Sequence, residues 1–258
     1  MLYTLGIDIG STTSKSIILK DGKEIVAKAL CQAGTGTQGP EKVYQEVLKT
    51  SRLTKGRIAK VVATGYGRKM FEQADREVSE LSCHAKGVFF TDDTVRTIID
   101  IGGQDAKVIR LGDNGEIMNF VMNDKCAAGT GRFLDVMAAI LQIPVTALEE
   151  YANRAENPVK ISSTCTVFAE SEVISQLSKN ADRADIIAGI CNSAASRSAS
   201  LAKRAGVKAK VCMSGGVAQN GGVRMALERE LGQSISYSED AQYMGAIGAA
   251  LFAHEMCI

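Results

Sequence analysis

Residues 7–25 read IDIGSTTSKSIILKDGKEI, and residues 99–117 read IDIGGQDAKVIRLGDNGEI. Laid over each other without a gap, the two stretches agree at ten positions. Ile7, Asp8, Ile9, Gly10, Lys15, Ile17, Leu19, Asp21, Glu24 and Ile25 meet Ile99, Asp100, Ile101, Gly102, Lys107, Ile109, Leu111, Asp113, Glu116 and Ile117. Agreement this dense, in one register and with both glycines in place, marks an internal duplication. Each copy reads as a β-hairpin continuing into a third strand. An apolar strand (5–9; 97–101) ends in Asp-Ile-Gly, a small polar turn follows, and a second strand (15–19; 107–111) runs back. Asp21-Gly22 and Asn114-Gly115 are turn dipeptides that lead into the next strand.

Helices follow each copy. Pro40 suits a first helical turn, and Val43, Val47 and Leu48 give that helix an apolar stripe. After the second copy, helical patterns cover residues 131–142, 167–179 and 185–204. Strand-rich openings followed by helices, twice over, predict two related α/β lobes. The expected division is 1–96 and 97–243. The small residues Gly245, Ala246, Gly248, Ala249 and Ala250 permit close packing, expected at the hinge between the lobes, and the final helix, about 244–258, is expected to pack back on the first lobe.

The turns carry the chemistry. Gly10-Ser11-Thr12-Thr13 and Gly102-Gly103-Gln104-Asp105 free several backbone N–H groups at a tight bend, where glycine lets an anion approach. Ser11, Thr12, Thr13 and Ser14 add hydroxyls, and Lys15 adds a positive charge behind the turn. Two such turns facing each other across a cleft between the lobes would hold a triphosphate from both sides. Asp8 and Asp100 end their strands there. A carboxylate in that position holds Mg²⁺ through its water shell, because Mg²⁺ keeps several waters. A third glycine turn, Ser214-Gly215-Gly216-Val217-Ala218-Gln219-Asn220, follows an expected strand over 208–213 and lets a base or ribose lie on the backbone. Asn220 is a candidate N-cap for the next helix.

The bulk composition excludes other classes. With 30 basic against 29 acidic residues the net charge is +1, so no broad field favours nucleic acid or an anionic membrane. The opening MLYTLGIDIG has no basic segment and no long apolar run, so no signal peptide is expected. No run approaches the ~20 apolar residues that a span needs. A cytoplasmic protein is expected. Its seven cysteines form no CxxC pair, which argues against a zinc ribbon or a thioredoxin-type motif.

DIGSTTSK, DIGGQD and SGGVAQN, in that order, resemble the phosphate-1, phosphate-2 and adenosine motifs of the actin, sugar-kinase and heat-shock-chaperone superfold. The implied fold is α/β, with duplicated ribonuclease-H-like lobes and an interlobe nucleotide cleft. NDKCAAGTGRF (123–133), SSTCTVFAESE (162–172), ATGYGR (63–68) and ELSCHA (80–85) narrow the likeness. They resemble the activator component of 2-hydroxyacyl-CoA dehydratases, a group similar to the ATPase subunits of benzoyl-CoA reductase. The resemblance covers nearly the whole chain. It implies ATP or ADP with Mg²⁺, and a homodimer with one [4Fe-4S] cluster between subunits. It further implies a dehydratase partner and a ferredoxin or flavodoxin as electron donor. The implied nucleotide set is Ser11, Thr12, Thr13, Ser14, Lys15, Gly102, Gly103, Gln104, Asp135, Gly215, Gly216, Gln219, Asn220 and Gln242. Gln104, Asp105 and Asp8 are the catalytic candidates, the first two for orienting the attacking water.

Thiolate ligation of such a cluster takes four cysteines. Cys126 and Cys165 each sit in a small polar loop ahead of a helix whose partial positive charge favours thiolate. Two per chain, doubled by a two-fold axis, gives four. From residue type alone, an ordinary pair of reduced thiols is the plainer reading; the resemblance selects the cluster. Cys31, Cys191, Cys212 and Cys257 read as structural, and Cys83-His84 as no dyad, because neighbours on a helix point apart. Two alternatives stand beside this reading: a small-molecule kinase of the same superfold without a cluster, and a chaperone-like nucleotide-binding module. Against many members of the superfold, Gln104-Asp105 replaces a Thr, and no base for a substrate hydroxyl is evident.

Overall fold

A computed structural model of the chain describes residues 1–162 and 165–258. Ser163 and Thr164, inside the second cysteine segment, lie outside the described residues. The chain forms two compact units. One comprises Met1–Val95, Leu111–Met118 and Asp240–Ile258; the other comprises Arg96–Arg110 and Asn119–Glu239.

The first unit is built on strands β1 (Tyr3–Ile9), β2 (Ser14–Lys20), β3 (Glu24–Cys31), β4 (Ile58–Thr64) and β5 (Arg76–Glu77), in the order β3-β2-β1-β4-β5. β1 pairs antiparallel with β2 and parallel with β4. Side chains alternate across a strand, so β1 serves two faces. Leu5, Ile7 and Ile9 pack with Val43, Tyr44, Val47 and Leu48 of helix α1 (Gly39–Ser51). The stripe expected around Pro40 is therefore the core face of that helix. Burial of each such aliphatic side chain contributes roughly 1.5–3 kcal/mol. On the opposite face, helices α2 (Glu80–Thr91) and α8 (Met244–Glu255) pack on each other, and α8 lies on β1. α8 is buried nearly all round, as its small apolar composition requires. Asp21 and Gly22, both at positive φ, form the β2–β3 turn.

The second unit holds α3 (Gly131–Ile140), α4 (Leu148–Ala152), α5 (Thr166–Ser178), α6 (Arg183–Ala205) and α7 (Gly221–Leu231). The second sheet has β6 (Thr97–Ile101), β7 (Ala106–Leu111), β8 (Ile117–Asn123), β9 (Val211–Ser214) and β10 (Ile235–Tyr237), in the order β10-β9-β6-β7-β8. β6 again pairs antiparallel with its hairpin partner and parallel with the strand beyond. Element for element, the two sheets are the same mixed sheet, so the duplication extends past the matched residues.

Asn220 caps α7, accepting from the Val223 N–H at 3.1 Å, as its position promised. Asp182 caps α6, accepting from the Ala184 N–H at 2.7 Å. β9 starts three residues later than expected. Phe133, Leu134 and Met137 of α3 and Val173 of α5 are buried, but Ile174 is 48% exposed. Among the described helices, none is long and apolar enough to cross a membrane by itself.

Glycine sets the closeness of α2 to α8. A Cβ on Gly248 would lie 1.8 Å from the Cys83 carbonyl oxygen, and one on Gly87 would lie 2.0 Å from that of Met244. Backbone cannot yield as a flexible side chain does, so the helices would have to part. Gly248→Ala is expected to destabilise the protein by about 1–3 kcal/mol in urea unfolding. Gly56→Ala, where the added carbon meets nothing within 4 Å, is expected to change stability by less than about 0.5 kcal/mol.

Candidate functional site

Each sheet ends in the same device. Asp8, last but one in β1, lies opposite Lys15 on β2, with Nζ 3.3 Å from Oδ2. Asp100 on β6 lies opposite Lys107 on β7, again at 3.3 Å. The intervening turns close alike. The Gly10 N–H donates to the Thr13 carbonyl at 2.9 Å, and the Gly102 N–H to the Asp105 carbonyl at 2.9 Å. Both aspartates are buried, and a buried carboxylate needs a paired charge. The lysines supply it.

A glycine completes each device from the neighbouring parallel strand. After β4, Gly65 sits at φ +83°, where a Cβ would lie 2.5 Å from Asp8 Oδ1. After β9, Gly215 sits at φ +82°, where a Cβ would lie 2.8 Å from Asp100 Oδ1. No side chain fits at either place. Thr64 and Ser214, the residues just before, align with Asp8 and Asp100 in the parallel registers. Ser214 Oγ donates to Asp100 Oδ1 at 2.8 Å. Sequence reading singled out Gly215 but passed over Gly65 as a functional position. The signal was ATG at 63–65 against MSG at 213–215, too short to stand out alone.

The copies also differ. Asp105 lies 2.5 Å from Lys107, so that lysine, 2% exposed, holds two carboxylates. Thr13 takes the corresponding place in the first copy and leaves Lys15 with Asp8. Asp8 Oδ1 is buried with no hydrogen-bond partner among the described residues, an acceptor left open at the strand end. A hydrated Mg²⁺ suits such an acceptor. Gln104 is exposed at its turn, whereas Asp105 is turned inward. Ser11, Thr12 and Thr13 are half-buried. Ser14 is buried and donates to the Ala33 carbonyl at 2.8 Å, and Thr35 donates its N–H to the Gly10 carbonyl at 2.9 Å. Residues 33–35 thus brace the first turn.

Gly216 and Gln219 are exposed on the third glycine turn, with Gln219 Nε2 donating to the Glu239 carbonyl at 3.2 Å. Asp135 is exposed on α3, and Gln242 is half-buried in the short helical turn Ala241–Tyr243.

The second turn is joined to the thiol region within its own unit. The Gly131 N–H donates to the Gly102 carbonyl at 2.9 Å, and the Arg132 N–H to the Gly103 carbonyl at 2.8 Å. The first turn of α3 therefore rests its free N–H groups on the candidate phosphate loop. The loop carrying Cys126 runs straight into that turn. Thr130 closes it, donating both N–H and Oγ1 to the Ala127 carbonyl, at 3.0 and 2.6 Å. Asn123 Nδ2 donates to the Cys126 carbonyl at 3.0 Å. Cys165 is the N-cap residue of α5, and α3 packs on α5.

The seven thiols divide sharply. Cys126 and Cys165 are exposed. Cys83 and Cys191 are buried, and burial pushes each thiol up to about 12, so both stay protonated and unsuited to ligation. Cys212 is buried in β9, and Cys31 and Cys257 are half-buried. Two accessible cysteines ahead of two helices of eight or more residues fit half of a four-thiolate ligand set.

The chain matches the BadF/BadG/BcrA/BcrD ATPase family over residues 5–253. It is 60% identical over 255 residues to the (R)-2-hydroxyglutaryl-CoA dehydratase activating ATPase of Acidaminococcus fermentans, covering 98% of each chain. The solved activator of the 2-hydroxyisocaproyl-CoA dehydratase from Clostridium difficile, with bound ADPNP, superposes with a TM-score of 0.97. The two are 55% identical over 99% of this chain and 95% of that one. A glucokinase of the ROK family from Streptomyces griseus, 14% identical over 98% of this chain and 99% of that one, superposes with a TM-score of 0.58 and shares the fold alone. The architecture is the actin-like ATPase and sugar-kinase superfold. A full-length match to the family, on paired lobes that each end in an aspartate, a lysine and a glycine turn, makes this chain a member of the BadF/BadG/BcrA/BcrD ATPases.

Proposed function

We propose that the protein is an ATP-hydrolysing, homodimeric iron–sulfur activator that passes a low-potential electron to a 2-hydroxyacyl-CoA dehydratase. The activity follows from its likeness to proteins named for it. The small-molecule kinase alternative is not favoured by those relatives. The observation that carries the reading is the pair of hydrogen bonds from Gly131 and Arg132 to the 102–103 turn. They tie a phosphate loop to the helix that follows an exposed cysteine.

In this proposal the lobes are 1–96 and 97–243, with α8 belonging to the first. Backbone N–H groups of both turns, with Ser11, Thr12, Thr13, Ser14, Lys15, Gly102, Gly103 and Gln104, bind the phosphates. Gly215, Gly216, Gln219, Asn220, Asp135 and Gln242 bind the rest of the nucleotide. The open oxygen of Asp8 accepts from a water of the bound Mg²⁺. Of the two candidates for orienting the attacking water, exposure favours Gln104; Asp105 is held by Lys107 and keeps the turn closed.

Cys126 and Cys165, with their copies in a second subunit, supply four thiolates to one [4Fe-4S] cluster. The helix N-termini behind them lower the energy of the negative charge. When bound, the cluster stores the single electron delivered onward. The protein's own part is mechanical. A shift of the 102–105 turn on nucleotide binding or release moves the first turn of α3, and with it the Cys126 loop. Ligand orientation and solvent exposure tune such a centre. A ferredoxin or flavodoxin donates the electron, and the site of action is the cytoplasm.

Protein purified without oxygen is expected to be brown and dimeric, with iron and labile sulfide. In Cys126→Ser the visible absorbance disappears while ADP binding persists; a full cluster in that variant contradicts the assignment. With the cluster stripped, native alkylation at pH 8 is expected at Cys126 and Cys165. Cys83 and Cys191 react only after denaturation, since thiols near 12 hold almost no thiolate at that pH. Gly131→Val crowds a position where even one carbon meets the Gly102 carbonyl at 3.2 Å. It is expected to slow ATP hydrolysis roughly tenfold, about 1.4 kcal/mol at the barrier, measured as phosphate release.

A further inference from the structure

A groove of about 760 Å³ opens beside Cys126, between its loop and α6. Its charge is one-sided. Lys125, Arg197 and Arg204 line it, against the single acid Asp124. The whole chain is nearly balanced at 30 to 29, so this excess is local. Among the described residues none of the three cations has an ion-pair partner. Between them stand three serines of α6, so the groove is mostly polar, with Met122, Ile161 and Leu201 its apolar part.

Arg197 is tied to the cysteine loop. Gly129, at φ +83°, leaves room for its stem: a Cβ there would lie 2.8 Å from Arg197 Cβ and 3.2 Å from its Cγ. Arg197 lines the groove with its stem packed against Gly129, three residues from Cys126.

We propose that this groove is where the electron-donating protein docks, through an acidic face of that carrier. The inference rests on the iron–sulfur reading above. Interfaces of electron carriers are small and transient, and their rate is set by charge steering more than by apolar burial. A mostly polar groove with three cations against one acid is of that kind. A lasting complex draws on apolar surface instead, and Val167, Phe168 and Ile174, exposed on α5 behind Cys165, are the patch suited to it. Acceptor and donor faces thus separate by chemistry. One electron leaves the reduced carrier, which is oxidised, and would be taken up by the iron–sulfur cluster that Cys126 and Cys165 would hold.

The test uses the full-length anaerobic protein, with reduced ferredoxin and dithionite as alternative reductants. Reduction is followed by loss of visible absorbance in stopped flow. Arg197→Glu/Arg204→Glu is expected to lower the ferredoxin rate at least about tenfold at low salt. Wild-type protein loses a similar factor between about 50 and 200 mM salt, where screening shortens the field. Dithionite, which needs no docking face, reduces both proteins equally. An unchanged ferredoxin rate overturns the proposal. So does equal slowing with dithionite, which makes the arginines local to the centre. Intact ferredoxin reduction with lost dehydratase activation also overturns it and gives the groove to the dehydratase. Arg204→Glu alone, at an exposed position, keeps the test sound if Arg197 proves necessary for folding. If the protein holds no iron, the reading beneath fails. The groove is then judged by titration with labelled ferredoxin, where charge-sensitive binding supports it and no binding refutes it.

Discussion

A carboxylate buried at the end of a strand is the constraint from which the rest of the molecule is built. Asp8 and Asp100 are almost wholly out of water. An unpaired charge there would cost several kcal/mol, so each hairpin brings a lysine across the ladder to 3.3 Å. The same crowding forbids a side chain on the next parallel strand, which is why Gly65 and Gly215 occur at matching places with φ near +80°. Once aspartate, lysine and glycine are in position, the turn between the strands closes through the Gly10 or Gly102 N–H. The phosphate loop is a consequence of how the charge is buried.

The duplicated device is not duplicated in use. In the first copy Asp8 keeps an oxygen open, which suits a hydrated cation. In the second, Ser214 and Lys107 occupy Asp100, and Lys107 also holds Asp105. That closes the second turn more firmly and leaves its carbonyls to the N-terminus of α3. One copy leaves an acceptor open, and the other ties its turn to a helix. The second turn is braced on a helix of ten residues, and the Cys126 loop leads directly into that helix.

The hairpins were legible because their residues are adjacent in sequence and their period is two. Identity at Asp8 and Asp100, Lys15 and Lys107, and both glycines gave the lobes, the turns and the register. The Asn220 cap was legible for the same local reason. What escaped depends on contacts distant in sequence. Gly65 meets Asp8 only through the parallel pairing of β1 with β4, and no local pattern announces that partner. Lys107 lies against Asp105, and Gln104 is the exposed one of the two candidates for orienting water. Ile174 has the spacing of a core residue on α5, yet periodicity reports which face is apolar, not what covers it. Arg197 and Gly129 touch across 68 positions of chain, so the groove they shape had no trace in either segment.

The second glycine turn and the helix behind Cys126 are expected to move together. Amide hydrogen exchange at Gly131 and Arg132 reads it directly, since their N–H groups are the donors to that turn. Adding ADP or a non-hydrolysable ATP analogue is expected to change protection at these two amides and in residues 126–130 together. Protection that changes at residues 102–105 while Gly131, Arg132 and the cysteine loop exchange as before would contradict it.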